Sequence, residues 1–248
     1  MKFSIITVAY NAASTIKDTI DSVLSQKGIE LEYIIVDGGS KDDTVSIVES
    51  YGDKINKFVS EPDKGIYDGM NKGVEMATGD VIGILNSDDF YVDENVLQKV
   101  LKTFDSQVRA IYADLVYVDQ KNTSKITRTW ISKPYQKGSF MKGWMPPHPT
   151  FFAKKDVYQE FGVYSLELRS AADYEFMLRV IHKNEIPLGY LNEIIVKMRA
   201  GGESNASLKN RIRANQEDRK AWEMNDLKPS TLMSIRKPLS KLTQFLKR

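Results

Sequence analysis

Apolar positions in the first ninety residues follow two alternating periods, in the order that builds a parallel sheet with covering helices. Phe3 to Val8 is a β-rich run, after which Ile16, Ile20, Val23 and Leu24 recur at helical spacing. Leu31 to Val36 is nearly continuous in apolar residues, as expected of a strand covered on both faces, and it stops at Asp37-Gly38-Gly39-Ser40. The next expected element is a helix opened by Asp42 or Asp43 and carrying Val45, Ile47 and Val48. Lys57 to Ser60 reads as a third strand, Tyr67 to Ala77 as a helix interrupted by glycines, and Val81 to Leu85 as a fourth strand ending at Asn86-Ser87-Asp88-Asp89. The pattern predicts one half of a doubly wound, Rossmann-like α/β fold.

Beyond Asp93 the periodicity is less regular. A helix to about Phe104 leads into a strand at Ala110 to Val118, a turn at Asp119 to Asn122, and a returning strand at Lys125 to Ile131. Pro146, Pro147 and Pro149 fix the backbone around His148 as a rigid loop. Tyr174, Met177, Leu178 and Ile181 fall at helical spacing between Leu168 and His182, which puts Asp173 in the first turn of a predicted helix. In the tail, Ile235, Leu239, Leu242, Phe245 and Leu246 form an apolar stripe flanked by Arg236, Lys237, Lys241, Lys247 and Arg248. Such a stripe fits an anionic membrane surface, and it equally fits packing on its own domain or on a partner subunit. The boundaries expected are one domain over 1–227, split at 105/106, and a basic amphipathic tail over 228–248.

Length and composition narrow the chemistry. At 248 residues the chain is long enough for a substantial core, and with no cysteine it holds neither disulfides nor a thiolate metal site, so any metal is expected on oxygen ligands. A formal charge of +2 argues against a dedicated nucleic-acid partner. That sum conceals a lopsided distribution: residues 1–89 carry 16 acidic and 8 basic side chains, residues 90–248 carry 17 and 27. No apolar stretch is long enough for a membrane span and no signal-peptide core is evident, so a cytoplasmic location is expected.

The acidic residues cluster where the predicted strands end. In an open α/β sheet, ligands bind beyond the carboxyl ends of the strands. Asp37, then Glu61 and Asp63, then Asp88 and Asp89 follow strands two, three and four, which would collect carboxylates on one rim. An Asp at a strand end also starts turns and caps helices, the structural alternative for each taken singly. Several together call for a cation, and Mg²⁺ or Mn²⁺ shared with a phosphorylated ligand would supply it. Neither a G-x-G-x-x-G fingerprint nor a phosphate-cradling G-K-[ST] loop is present, so a pyrophosphate would be held by metal rather than by a glycine cradle.

The stretches SIITVAYN (4–11), VDGGSKDDT (36–44), EPDKGIYDGMNKG (61–73), ATGD (77–80) and LNSDD (85–89) resemble, in order and spacing, the family 2 glycosyltransferases of bacterial polysaccharide and lipopolysaccharide assembly. HPTFF (148–152), AADYEFMLR (171–179) and MRAGGES (198–204) extend the likeness to about residue 205. The resemblance implies a GT-A fold with a nucleotide-sugar half over 1–105 and an acceptor half over 106–227. It implies Asp37 on the nucleotide base, Ala9 and Asn11 in the same pocket, Asp68 near the nucleoside, and Asn86 and Ser87 beside them. Asp88 and Asp89 stand in the metal signature, with Asn86 at the position usually acidic. Asp173 stands where the family keeps its general base, preceded by Ala172 in place of a second acidic residue.

The chemistry is consistent with that reading. A sugar hydroxyl needs a carboxylate to accept its proton, and a departing nucleoside diphosphate needs a metal or cationic groups to stabilise its charge. Backside attack would invert the anomeric centre. His148, Trp144 and Arg199 are expected on the acceptor or phosphates, Arg199 by closing a flexible Gly201-Gly202 loop, and Trp130 or Trp144 by stacking on a sugar. The implied partners are a UDP-sugar, a polyprenyl-diphosphate-linked glycan and, through the tail, the inner face of the membrane, with oligomer formation left open. A catalytically idle sugar-nucleotide-binding subunit and a nucleotidyltransferase are the competing readings.

Overall fold

The computed structural model describes residues 1–201 and 208–228. The amphipathic stripe at 235–246 and the Gly202 to Ser204 part of the expected phosphate loop lie outside the described residues. Among the described residues nine strands form one sheet: β1 (Lys2–Ala9), β2 (Glu30–Asp37), β3 (Lys57–Ser60), β4 (Val81–Ile84), β5 (Phe90–Tyr91), β6 (Ala110–Val118), β7 (Ile126–Trp130), β8 (Phe152–Lys154) and β9 (Leu188–Arg199). Their order is β3-β2-β1-β4-β8-β6-β9-β5, with β7 paired to β6. Strands β1, β2, β3 and β4 are mutually parallel, and β6 and β9 run the same way, while β5, β7 and β8 run against them. The carboxyl ends of six strands therefore share one rim.

Burial on both faces follows from strand periodicity. Ile6, Val8, Ile34 and Val36 face one core with α3 (Ile66–Met76) and α6 (Ala172–Met177), while Phe3, Ile5, Tyr33 and Ile35 face the other with α1 (Ile16–Leu24), α2 (Thr44–Glu49) and α4 (Val96–Thr103). The glycines that interrupt α3 are contact points. A Cβ on Gly73 would fall 2.4 Å from Ile6 Cγ2 and one on Gly69 would fall 2.6 Å from Val8 Cγ1, so glycine lets α3 lie close against β1. That approach carries the start of α3 to the rim.

The opposite edge is fastened by Glu32, which is 3% exposed. Its carboxylate accepts from Ser4 Oγ at 2.5 Å and from Thr78 N and Oγ1 at 2.7 Å each, and it pairs with Lys57 at 3.1 Å. Burial acts to raise its pKa, but the hydrogen bonds from Ser4, Thr78 and Lys57 outweigh it and hold the group at about 2. A carboxylate held below its unfolded value of about 4.3 contributes stability at higher pH and loses it as pH falls from there toward 2, on the order of 3 kcal/mol in total. Urea midpoints followed from pH 5 to 2.5 should fall more steeply for wild type than for Glu32→Gln.

The second half departs from the periodicity in several places. The helix expected over 168–182 is a short α6 continued by a π-helical turn, Leu178–Lys183. Strands β5, β8 and β9 and helices α5 (Lys155–Phe161) and α7 (Leu208–Met224) carry no clear signal in the apolar pattern. Helix α7 packs on α6 through Trp222, 1% exposed, whose Nε1 donates to Tyr174 Oη at 2.8 Å, and through Asn225 Nδ2 donating to Glu175 at 2.9 Å.

Candidate active site at the carboxyl rim

The loops after β1 and β2 are sewn together. Gly38 N donates to the Ala9 carbonyl at 2.9 Å, Asn11 N to Ser40 Oγ at 2.8 Å, and Lys41 N to Asn11 Oδ1 at 2.8 Å. Asn11 adopts φ 49°, a left-handed conformation that asparagine tolerates better than most side chains, and both its backbone and its amide serve the junction. Asp37 is fully buried and accepts from Gly39 N (3.0 Å), Ser40 N (2.9 Å), Ser60 Oγ (2.7 Å) and Ser40 Oγ. Ala9 is also sealed, at 1% exposure. Both residues therefore build the loop. Tyr10, 63% exposed at the end of β1, is the prominent group there. Its signal in the sequence is an aromatic set between the last apolar residue of a strand and Asn11.

Most rim carboxylates are satisfied by donors rather than gathered on a common cation. Asp42 accepts from Thr44 and Ala13, which lowers its pKa. Asp63 accepts from Gly65 N at 2.8 Å, and Asp68 from Lys64 N at 3.1 Å with Lys72 at 3.7 Å.

The segment after β4 differs. Asp89 is fully buried, and burial together with the Asp88 charge pushes its carboxyl well above the usual range. Asn86 Nδ2 donates to Asp89 Oδ2 at 3.3 Å, while Asn86 Oδ1 and Asp89 Oδ1 have no partner among the described residues. Asp89, expected as a metal ligand beside Asp88, does not reach the rim. Asp88 is half-buried and its carboxyl is raised by burial, opposed by its own N–H and by Arg199. Its carboxylate receives no other hydrogen bond among the described residues. Ser87 is likewise half-buried on the same turn.

Arg199 is corrected most clearly. Rather than riding a flexible loop, it ends β9, is 6% exposed, and stacks on Phe90 with its guanidinium 5.0 Å from the ring centroid. It donates to the Asp88 carbonyl at 2.7 Å and to Asp18 of α1. A buried guanidinium with two anchors is a strut, and it fixes the backbone on which Asp88 stands.

Could this turn hold a divalent cation? Among the described residues no group of three or more His, Cys, Asp or Glu could enclose one. The half-buried Asp88 carboxylate beside the orphaned Asn86 Oδ1 fits Mg²⁺ or Mn²⁺ that brings diphosphate and water oxygens with it, and does not fit a resident ion. Asp88 would hold it, and the ion would offset charge on the leaving diphosphate.

Asp173 arrives from the other half of the chain. It opens α6, and Tyr67 Oη at the start of α3 donates to its Oδ1 at 2.8 Å across 106 residues of sequence. Its Oδ2 accepts no hydrogen bond among the described residues. Ala172 beside it is fully buried in the core, so a second carboxylate at that position would be sealed from the cleft. His148, 9% exposed, sits edge-on to Tyr164 with ring centroids 6.0 Å apart; burial lowers its pKa and the nearby Asp173 charge opposes that, which leaves a neutral imidazole near pH 7.

The tryptophans are not open platforms. Trp144 packs among Tyr112, Tyr135 and Phe140 and donates its indole N–H to the Ser132 carbonyl at 2.7 Å, while the Arg128 guanidinium lies over Trp130 at 5.5 Å. Stacking on a sugar is not the role this packing gives them.

The family described as "Glycosyl transferase family 2" matches residues 4–162. A "PGL/p-HBAD biosynthesis glycosyltransferase" of Mycobacterium bovis is 28% identical over 207 residues, 82% of this chain and 79% of that protein. S. aureus TarS 1–349 in complex with UDP-GlcNAc aligns at TM-score 0.71 and 20% identity, over 99% of this chain and 72% of that one. The mannosyltransferase PcManGT from Pyrobaculum calidifontis, in complex with GDP-Man and Mn²⁺, aligns at TM-score 0.67 and 15% identity, over 98% and 72%. At those identities the two solved structures speak to the fold.

Proposed function

The chain belongs to glycosyl transferase family 2 and has the GT-A fold, and from that premise we propose that it moves a sugar, with inversion, from a UDP-linked donor to a hydroxyl of a lipid-linked glycan in cell-surface polysaccharide synthesis. The observation that supports this reading is the bond from Tyr67, at the start of the helix that follows β3, to Asp173 of α6, which ties the acidic group of the second half to the side of the sheet where Asp88 follows β4. The loop built on Asp37, Ala9 and Asn11 frames the base with Tyr10 as its stacking face. Asp68, Asn86 and Ser87 flank the nucleoside and diphosphate, and Asp88 takes the metal. Asp173 Oδ2 accepts the proton of the acceptor hydroxyl as its oxygen attacks the anomeric carbon from the face opposite the diphosphate, so an α-linked donor yields a β-glycoside. Neutral His148 borders the acceptor beside it.

The donor complexes of the structural neighbours support a nucleotide sugar and a divalent cation. The acidic amino-terminal half matches a donor that brings its own cation, and the basic remainder matches a diphosphate-linked acceptor at an anionic membrane. Among the described residues no helix is long and apolar enough to cross a membrane. Contact with lipid is assigned to the basic tail on its pattern of apolar and basic residues.

Thermal unfolding measured with UDP, GDP and a set of their sugar conjugates, each with Mn²⁺ or with EDTA, tests the reading. UDP with Mn²⁺ should raise the midpoint by several degrees, and Mn²⁺ alone should change it little. UDP binding indifferent to EDTA overturns the metal role of Asp88. Binding without turnover of any conjugate favours an idle binding subunit.

A further inference from the structure

Tyr67 joins the donor-side helix to the acidic group of the other half. We infer that Tyr67 is a positioning residue for glycosyl transfer: by donating its hydroxyl to one oxygen of Asp173, it keeps the second oxygen turned to the incoming acceptor. This rests on the reading of Asp173 as the general base.

The phenol is held on every side. Tyr67 is 8% exposed and stacks on Tyr164 with centroids 5.9 Å apart and planes at 27°. Tyr164 is itself fixed to α3, its N–H donating to Asn71 Oδ1 at 2.9 Å and its carbonyl accepting from Asn71 Nδ2 at 2.8 Å. Tyr158, Phe176 and His148 pack around Tyr164 and complete the wall. Gly69 and Gly73 let α3 lie close on β1, against Val8 and Ile6.

Chemistry adds a reason for tyrosine at this place. Burial and then the Asp173 charge push the phenol well above its ordinary value, so it stays protonated and remains a donor throughout the neutral range. A lysine would bring a charge that weakens the base, and a histidine would change its donor character near pH 7. A carboxylate anchored through one oxygen has a fixed plane, and the free oxygen then accepts a proton in a defined direction. Without the anchor, rotation about the side-chain bonds spreads the acceptor position over a range in which displacements of about 1 Å cost up to about 100-fold in rate.

The test uses the full chain as Tyr67→Phe, Asp173→Asn and the double variant. Turnover is read as nucleoside diphosphate release from UDP-GlcNAc, UDP-glucose and GDP-mannose with Mn²⁺. Separately, the Cζ resonance of Tyr67 is followed in [¹³Cζ]tyrosine-labelled protein and assigned by its absence in Tyr67→Phe. Tyr67→Phe should lower kcat by about 10-fold or more with donor KM within about twofold, and the double variant should be no slower than Asp173→Asn alone. The Tyr67 resonance should move in Asp173→Asn, where an amide replaces the carboxylate acceptor. An unmoved resonance, or a Tyr67→Phe kcat equal to wild type while Asp173→Asn is inactive, overturns the positioning role. Asp173→Asn turning over like wild type overturns instead the assignment of the base, and the positioning role falls with it.

Discussion

Replacing Asp173 with asparagine should lower turnover of the nucleotide-sugar donor by about 10²- to 10⁴-fold, the usual contribution of a positioned proton acceptor, while nucleotide affinity should stay within about twofold of wild type. Asparagine keeps the size and planarity of the side chain, and its Oδ1 still accepts from Tyr67, so the start of α6 has no reason to rearrange. It lacks an oxygen basic enough to take a proton from a sugar hydroxyl. The remainder of α6 is anchored elsewhere: Glu175 is buried and bonded by Arg179 Nε at 3.0 Å and by Asn225 Nδ2 at 2.9 Å. A fall in kcat with an unchanged melting temperature and unchanged UDP-Mn²⁺ affinity identifies a chemical role. Loss of turnover together with loss of the fold would mean that the carboxylate is structural.

Asp88→Ala should abolish the Mn²⁺-dependent part of nucleotide binding and lower turnover by about 10²-fold or more, because the leaving diphosphate then loses its charge partner. The turn itself should survive. Arg199 holds the Asp88 carbonyl, Thr19 Oγ1 donates to the Asp89 carbonyl at 2.7 Å, and Asp89 N donates to the Asn86 carbonyl at 3.0 Å, none of which uses the Asp88 side chain. Titration of UDP into wild type and Asp88→Ala, each with Mn²⁺ or with EDTA, checks this. Equal enhancement by Mn²⁺ in the two proteins would place the ion elsewhere. The same comparison on Asp89→Asn should show little change in metal dependence, since that carboxylate is sealed under the turn.

The amino-terminal half was legible because its strands are covered on both faces. Phe3 to Val8 is rich in β-forming residues and Leu31 to Val36 is nearly continuous in apolar ones, and both runs are buried at nearly every position. The carboxyl-terminal half was less so, for a physical reason particular to each element. Strand β8 has only three residues and β5 two, too few to express a period. Strand β9 is mixed in burial, with Asn192, Glu193 and Ile194 exposed in succession and a shift of register opposite Ala113 to Leu115 of β6, so alternation breaks inside the strand. Helix α7 contacts α6 through Trp222 and through Asn225 just past its end, a docking that depends on a surface assembled by distant residues.

The candidate site divides in the same way. Sequence alone determined which acidic residues follow the apolar strands, since such groups fall at the carboxyl ends whatever the packing, and five motifs in register carried the resemblance to the family that matches residues 4–162. Tertiary structure decided what each carboxylate is free to do. Asp37 ends β2 and Asp88 stands on the turn after β4, yet four hydrogen bonds close over the first and only its own N–H meets the second. Arg199 and Gly201 are two residues apart, and the pairing of β9 with β6 makes the first a buried strut rather than part of a moving loop. Tyr67 reads in the sequence only as the start of a helix, and it meets Asp173 because glycines on the inner face of α3 bring that helix down onto β1. Whether a carboxylate is spent on a turn or left for a ligand depends on donors supplied by residues far away in the chain, which no local pattern of the sequence encodes.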